Sequence, residues 1–192
     1  RDCLLSRGLG DVYKRQSTFS VLSFIFSLAN AILSGVAQGL QPLWGHCCGK
    51  GNTRDMGWYF YCGLLINSIL SVLIYGVLFF FDRAVIRIFS SSADLVQAAS
   101  AALPLFSLSF IPMALNLIYT AFLFSTKRTE AANIVAISRG IVIKALAIFC
   151  IPVVFGSGSI WIAPFAAEIV TLALAVRLCR DCLLYTSDAA DE

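Results

Sequence analysis

The chain has 192 residues, 59% of them hydrophobic and only 13% charged, with a mean hydropathy of +0.84. Soluble domains carry about 25% charged residues, so a water-soluble domain is excluded and an all-α polytopic membrane helix bundle is expected. The net charge is +3, and the basic residues form no patch interleaved with aromatics, so nucleic acid is not an expected partner.

The pentapeptide Arg1-Asp2-Cys3-Leu4-Leu5 recurs at 180–184. Residues 6–16 and 182–192 resemble read-through translations of a transposase-type sequencing-library adapter. That resemblance marks 1–16 and 181–192 as non-native tails, to be set aside as any fusion scar would be. The stretch 17–180 is then an internal piece of a longer protein, with ten Lys/Arg against five acids.

The first apolar segment, about 18–48, exceeds the roughly 20 residues that cross a bilayer. It is expected to tilt, to kink near Pro42 or to project from the membrane. Its small and polar residues fall at Ser20, Ser23, Ser27, Asn30, Ser34, Gln38, Gln41, Gly45 and Cys48, a mean spacing of 3.5 residues. Such a repeat draws one polar stripe along the helix and suits a left-handed crossing against a neighbour. Gly35 and Gly39 add a small-xxx-small contact that lets backbones approach. An unsatisfied amide in lipid costs several kcal/mol, so Gln38 and Gln41 must face protein or water. Packing against another helix and lining of a cavity both satisfy that demand. As cavity wall, Asn30, Ser34, Gln38 and Gln41 would suit moderately polar, cationic organic solutes, which acceptors and aromatic faces attract without a fixed opposite charge. His46-Cys47-Cys48 carries no expectation of a metal, since adjacent cysteines point about 100° apart on a helix. The five cysteines within 17–180 lack CxxC spacing and read as packing residues.

The second span, about 57–81, repeats the polar pattern weakly at Asn67, Ser71 and Tyr75. The third, about 97–124, does so at Ser109, Pro112, Asn116 and Tyr119, and Asn116 and Tyr119 join the cavity candidates. The fourth, about 132–155, contains Arg139 and Lys144; the fifth, about 159–178, contains Glu168. Arg139 is close enough to a helix end to snorkel. Lys144 lies about thirteen residues before the 156–158 turn and Glu168 about eleven after it, so both come near mid-membrane at similar depth. They are candidates for a structural ion pair or for an ion-coupling site. Four of the five spans contain proline, at Pro42, Pro104 with Pro112, Pro152 and Pro164. Each frees a carbonyl and favours bending.

Lys50, Arg54, Lys127, Arg128, Arg177 and Arg180 gather at one side of these five spans, and only Arg83 and Arg87 at the other. Six against two places the 49–56 and 125–131 loops and the C-terminus in the cytoplasm of a multi-pass inner (plasma) membrane protein.

The stretch Gly35-x-x-Gln38-Gly39-x-Gln41-Pro42-Leu43, followed by a glycine-rich loop ending in Gly51-Asn52, resembles a signature of the multidrug and toxic compound extrusion (MATE) family. Ile88-Phe89-Ser90-Ser91, the Phe122 to Thr129 stretch, Ser138-Arg139 and Trp161-x-Ala163-Pro164-x-Ala166-Ala167-Glu168 support it in order and spacing. The resemblance covers essentially all of 17–180 and implies five helices of a six-helix C-terminal lobe, with helix seven and the N-terminal lobe of the same protein missing. It further implies small organic, often cationic substrates exported by alternating access in exchange for sodium ions or protons, with no other cofactor. Two departures stand out. Cys47-Cys48-Gly49-Lys50 replaces the Asn-Tyr-Gly-Ala type sequence often found there, and the 97–124 helix lacks the acid that one subgroup uses for its cation site. The second departure puts the coupling carboxylates in the missing half. A lipid-linked oligosaccharide flippase of related fold is the alternative, which a large basic cavity would favour. An enzyme is not expected: HExxH is absent, and Gly156-Ser157-Gly158-Ser159 lacks the order of a serine nucleophile site.

Overall fold

The computed structural model describes residues 2–188, with side chains described within 16–180 except at 155, 157 and 158. The two expected tails therefore lie almost wholly outside the residues whose side chains are described. Among the described residues there are helices and no strands. In chain order they are α1 (Asp2–Lys50), α2 (Thr53–Phe80), α3 (Asp82–Phe89), α4 (Ala93–Ser107), α5 (Phe110–Ser125), α6 (Thr129–Ile137), α7 (Ile143–Phe155) and α8 (Ala163–Asp188). A π-helical turn, Ser138–Val142, joins α6 to α7, and a 3-10 turn, Ser157–Ile162, precedes α8. Gln16–Lys50, Thr53–Phe80, Thr129–Val154 and Ser159–Arg180 are each long and apolar enough to cross a membrane. The α4–α5 pair makes a fifth, broken span, bent by 45°. The five expected spans are all present, in a polytopic membrane helix bundle.

The proline expectations divide by position. Pro112 and Pro164 stand in the first turns of α5 and α8, where a helix needs no donor. Pro42 and Pro152 lie inside α1 and α7 without ending either helix. The sharp break falls at Leu108-Ser109, between Pro104 and Pro112. The first span instead runs unbroken through Pro42 to Lys50.

Connections are tighter than hydropathy alone suggests. Only Gly51 and Asn52 separate α1 from α2, and Gly51 takes φ +69°, a left-handed conformation that glycine adopts without steric cost. Asn52 caps α2: its Oδ1 accepts from the Asp55 backbone N–H at 3.2 Å, and its Nδ2 donates to the Asp55 carboxylate at 2.7 Å. Residues 82–96, between the second and third expected spans, contain the short amphipathic helix α3 and the start of α4.

α5 is the central element, packing against α1, α2, α6 and α8. Toward its start, Phe110, Met113 and Ala114 share an apolar cluster with Leu22, Leu33, Ile86 and Leu103. Toward its end, Ile118, Ala121 and Phe122 share a second cluster with Trp44, Met56 and Cys179. Asn67 ties α2 to α5, donating to the Ala114 carbonyl at 2.8 Å. The close approach of α1 and α2 occurs at Gly63, where an added Cβ would meet Leu40 Cδ1 at 2.6 Å and Trp44 Cζ2 at 3.4 Å. Gly35 and Gly39, expected to make such a contact, are exposed, with nothing within 4 Å of a Cβ built on either. They sit off the side of α1 that packs.

Candidate functional site

Asn116 stands on α5 where the two apolar clusters meet, fully buried. Its Nδ2 donates to the Glu168 carboxylate at 2.7 Å and to the Glu168 backbone carbonyl at 2.9 Å, fastening α5 to α8. Glu168 is 1% exposed. Arg139 Nε reaches its two carboxylate oxygens at 3.3 and 3.2 Å, and Lys144 Nζ lies 3.8 Å from Oε1. The same ammonium sits 4.9 Å from the centroid of the Phe26 ring of α1, a cation–π contact. Four helical segments thus converge on one carboxylate. Asn116 Oδ1 is buried with no hydrogen-bond partner among the described residues.

The depth argument brought Lys144 to Glu168, and the geometry agrees. Arg139 was expected to snorkel; instead it is the closer cation. The cause is local backbone. Residues five apart on an α-helix point about 140° apart around the axis. The Ile143 N–H bonds to the Ser138 carbonyl, the i→i+5 bond of a π turn, which adds a residue to the turn and draws positions five apart toward one face. Arg139 and Lys144 therefore both reach Glu168. Hydropathy and helical-wheel spacing carry no signal for such a turn.

The polar stripe of α1 lies beside the packed side of the helix. The buried line of α1 is apolar: Leu22, Ile25, Ala29, Leu33, Ala37, Trp44 and Cys47. Most stripe positions come one residue later in sequence, about 100° around the axis, on the flank that also holds Phe26. Gln38 is exposed, and Asn30, Ser34 and Gln41 are half-buried. The Ser20, Ser27 and Ser34 hydroxyls donate to carbonyls of their own helix, so they do not join α1 to a neighbour. Proline at 42 cannot donate to the Gln38 carbonyl, which leaves a backbone acceptor beside the two glutamines. Tyr119 is half-buried, its ring 5.2 Å from that of Phe60 in an aromatic group with Trp44 and Phe122. The cavity candidates thus separate into an open flank (Asn30, Ser34, Gln38, Gln41) and the interior of the bundle (Asn116, Tyr119).

A family model described as MatE matches residues 16–150, which takes in the glutamine flank, Asn116, Arg139 and Lys144. The chain belongs to the MatE family. Glu168 lies beyond the matched stretch. No curated protein and no solved structure matches the chain. MatE proteins are transporters, and the helices of this member are long and apolar enough to cross a membrane, as such a transporter requires.

Proposed function

We propose that residues 17–180 form part of the C-terminal lobe of a multidrug efflux antiporter in the inner membrane, with its C-terminus in the cytoplasm. It exports cationic organic compounds by alternating access, in exchange for sodium ions or protons, together with an N-terminal lobe of the same protein. The observation that carries this reading is the open flank of α1. On a helix long enough to cross a bilayer, Gln38 is exposed and Gln41 only half-buried, beside the Gln38 carbonyl freed by Pro42. Facing lipid they would cost several kcal/mol; facing a water-filled cavity they cost little and offer acceptors to a cation. Asn30 and Ser34 continue the same wall toward Phe26.

Glu168 takes a structural part in this scheme. With Arg139, Lys144 and Asn116 all turned on it, the carboxylate is committed to holding α5, α7 and α8 together, and the coupling carboxylate lies elsewhere in the protein. The flippase alternative calls for a basic cavity, and the glutamine flank presents amides and hydroxyls. The test is dye efflux from transporter-deficient cells expressing the intact parent with Gln38→Leu and Gln41→Leu together. Efflux of a lipophilic cationic dye should fall at least tenfold at equal membrane abundance. Undiminished efflux would remove these residues from the cavity.

A further inference from the structure

The one strongly amphipathic element among the described helices is α3, with the sequence Asp82-Arg83-Ala84-Val85-Ile86-Arg87-Ile88-Phe89. Ile86 is fully buried in an apolar cluster shared with residues of α1, α4 and α5, with Val85 and Phe89 packed against that cluster. Arg83 and Arg87 lie one turn apart on the outward side, where like charges repel. Neither makes an ion pair among the described residues. Between α3 and the start of α4 runs an open groove of about 600 Å³ lined by Arg83, Arg87, Ser90, Ser91, Val96 and Gln97, with Ala93. Neither acid of this end, Asp82 or Asp94, lines it. Ser90 Oγ accepts from the Ser92 N–H at 3.2 Å, so its own proton is left to donate.

The groove lies just past the C-terminal end of α2, a helix long and apolar enough to cross a membrane. Phe80 is 77% exposed and Ile88 80%, with Phe79 and Phe81 also exposed. An apolar and aromatic rim on a membrane-spanning helix sits among acyl chains and headgroups. In a bilayer such a rim would set the guanidiniums beside it near the depth of lipid phosphates. Arginine forks match phosphate oxygens two at a time, and an anion between Arg83 and Arg87 turns their mutual repulsion into shared attraction.

We propose that this groove is a binding site for the phosphate of an anionic phospholipid headgroup, held by Arg83 and Arg87 with Ser90, Ser91 and Gln97 as further donors. The acyl chains then lie along Phe79, Phe80 and Ile88, which free phosphate cannot exploit. The site is independent of the substrate pathway and rests only on the chain being a membrane protein.

The test titrates the full chain, in an uncharged detergent, with short-chain phosphatidylglycerol, phosphatidylcholine or inorganic phosphate, and reads the thermal midpoint by helical circular dichroism. Phosphatidylglycerol should raise the midpoint saturably. With about 1 kcal/mol per basic residue near an anionic surface, Arg83→Gln with Arg87→Gln should weaken its apparent affinity about thirtyfold. Arg83→Lys with Arg87→Lys keeps the charge and should bind within about tenfold of the parent. Lys50→Gln with Arg54→Gln, which removes equal charge from the other end of the bundle, should leave the affinity unchanged. Equal weakening by both glutamine pairs would overturn the site in favour of a general field effect, and so would no weakening by either. Equal stabilisation by phosphatidylcholine would overturn it without recourse to any variant, should the glutamine pair not fold. Inorganic phosphate matching the lipid at equal concentration would replace the headgroup with a free anion.

Discussion

Replacing Arg139 by methionine strands a carboxylate that is 1% exposed. At 3.2 Å and 3.8 Å, the Arg139 and Lys144 attractions to Glu168 are about 5 and about 4 kcal/mol gross at an effective dielectric of about 20. The nearer pair is also the drier one, since the Arg139 side chain is 15% exposed and that of Lys144 31%. Removing one partner of a buried pair costs about 3–5 kcal/mol. Lys144 and the Asn116 bond survive the change, so Arg139→Met should destabilise by about 2–3 kcal/mol and Lys144→Met by about 1 kcal/mol. Glu168→Gln should cost about 1–2 kcal/mol, because both cations retain a path to water. The double variant Arg139→Met with Glu168→Gln should fall short of the summed costs by about 1.5 kcal/mol, the signature of direct coupling. Reversible unfolding in mixed micelles, titrated with an anionic detergent and followed by circular dichroism, measures the four variants against the parent. A coupling below about 0.5 kcal/mol, or a Lys144→Met cost equal to that of Arg139→Met, would refute the assignment of Arg139 as the principal partner.

The π turn makes a length prediction. Deleting exposed Gly140 sets Arg139 and Lys144 four apart, the α-helical repeat, so both stay on the Glu168 side and stability should change by less than about 1 kcal/mol. Inserting an alanine after Gly140 swings Lys144 about 100° further round and should cost at least as much as losing that side chain; equal damage from both changes in the same unfolding titration would contradict the turn's role. Gly63→Ala overlaps the flexible tip of Leu40 and otherwise makes ordinary contacts, so it should cost about 1 kcal/mol or less, whereas Gly63→Phe should cost about 3 kcal/mol or more by prising α1 from α2. Equal costs for the two in that titration would deny the close approach.

The five spans were legible because hydropathy over about 20 residues is a bulk property that bilayer thickness reads directly. Lys144 and Glu168 were legible for a related reason: depth is arithmetic on rise per residue. Arg139 was not, because its partner depends on azimuth, and one π turn changes azimuth without leaving a mark on composition. The glycines show the same division. Gly35, Gly39 and Gly63 are equivalent as residues, and only the packed structure says that Gly63 faces a neighbour. The polar stripe of α1 has a clear periodicity, which is silent on whether a stripe faces a helix or an opening. Asn116 was singled out by its pattern, and its bond to Glu168 required knowing that α5 and α8 lie side by side.

With Gly51 and Asn52 alone between α1 and α2, and Asn52 pinned to Asp55 at 2.7 Å, the two longest spans have no slack at their shared end. A swing of one would carry the other with it. Relative displacement within the bundle then has to be taken up at a softer place, and the 45° elbow at Leu108-Ser109 supplies one.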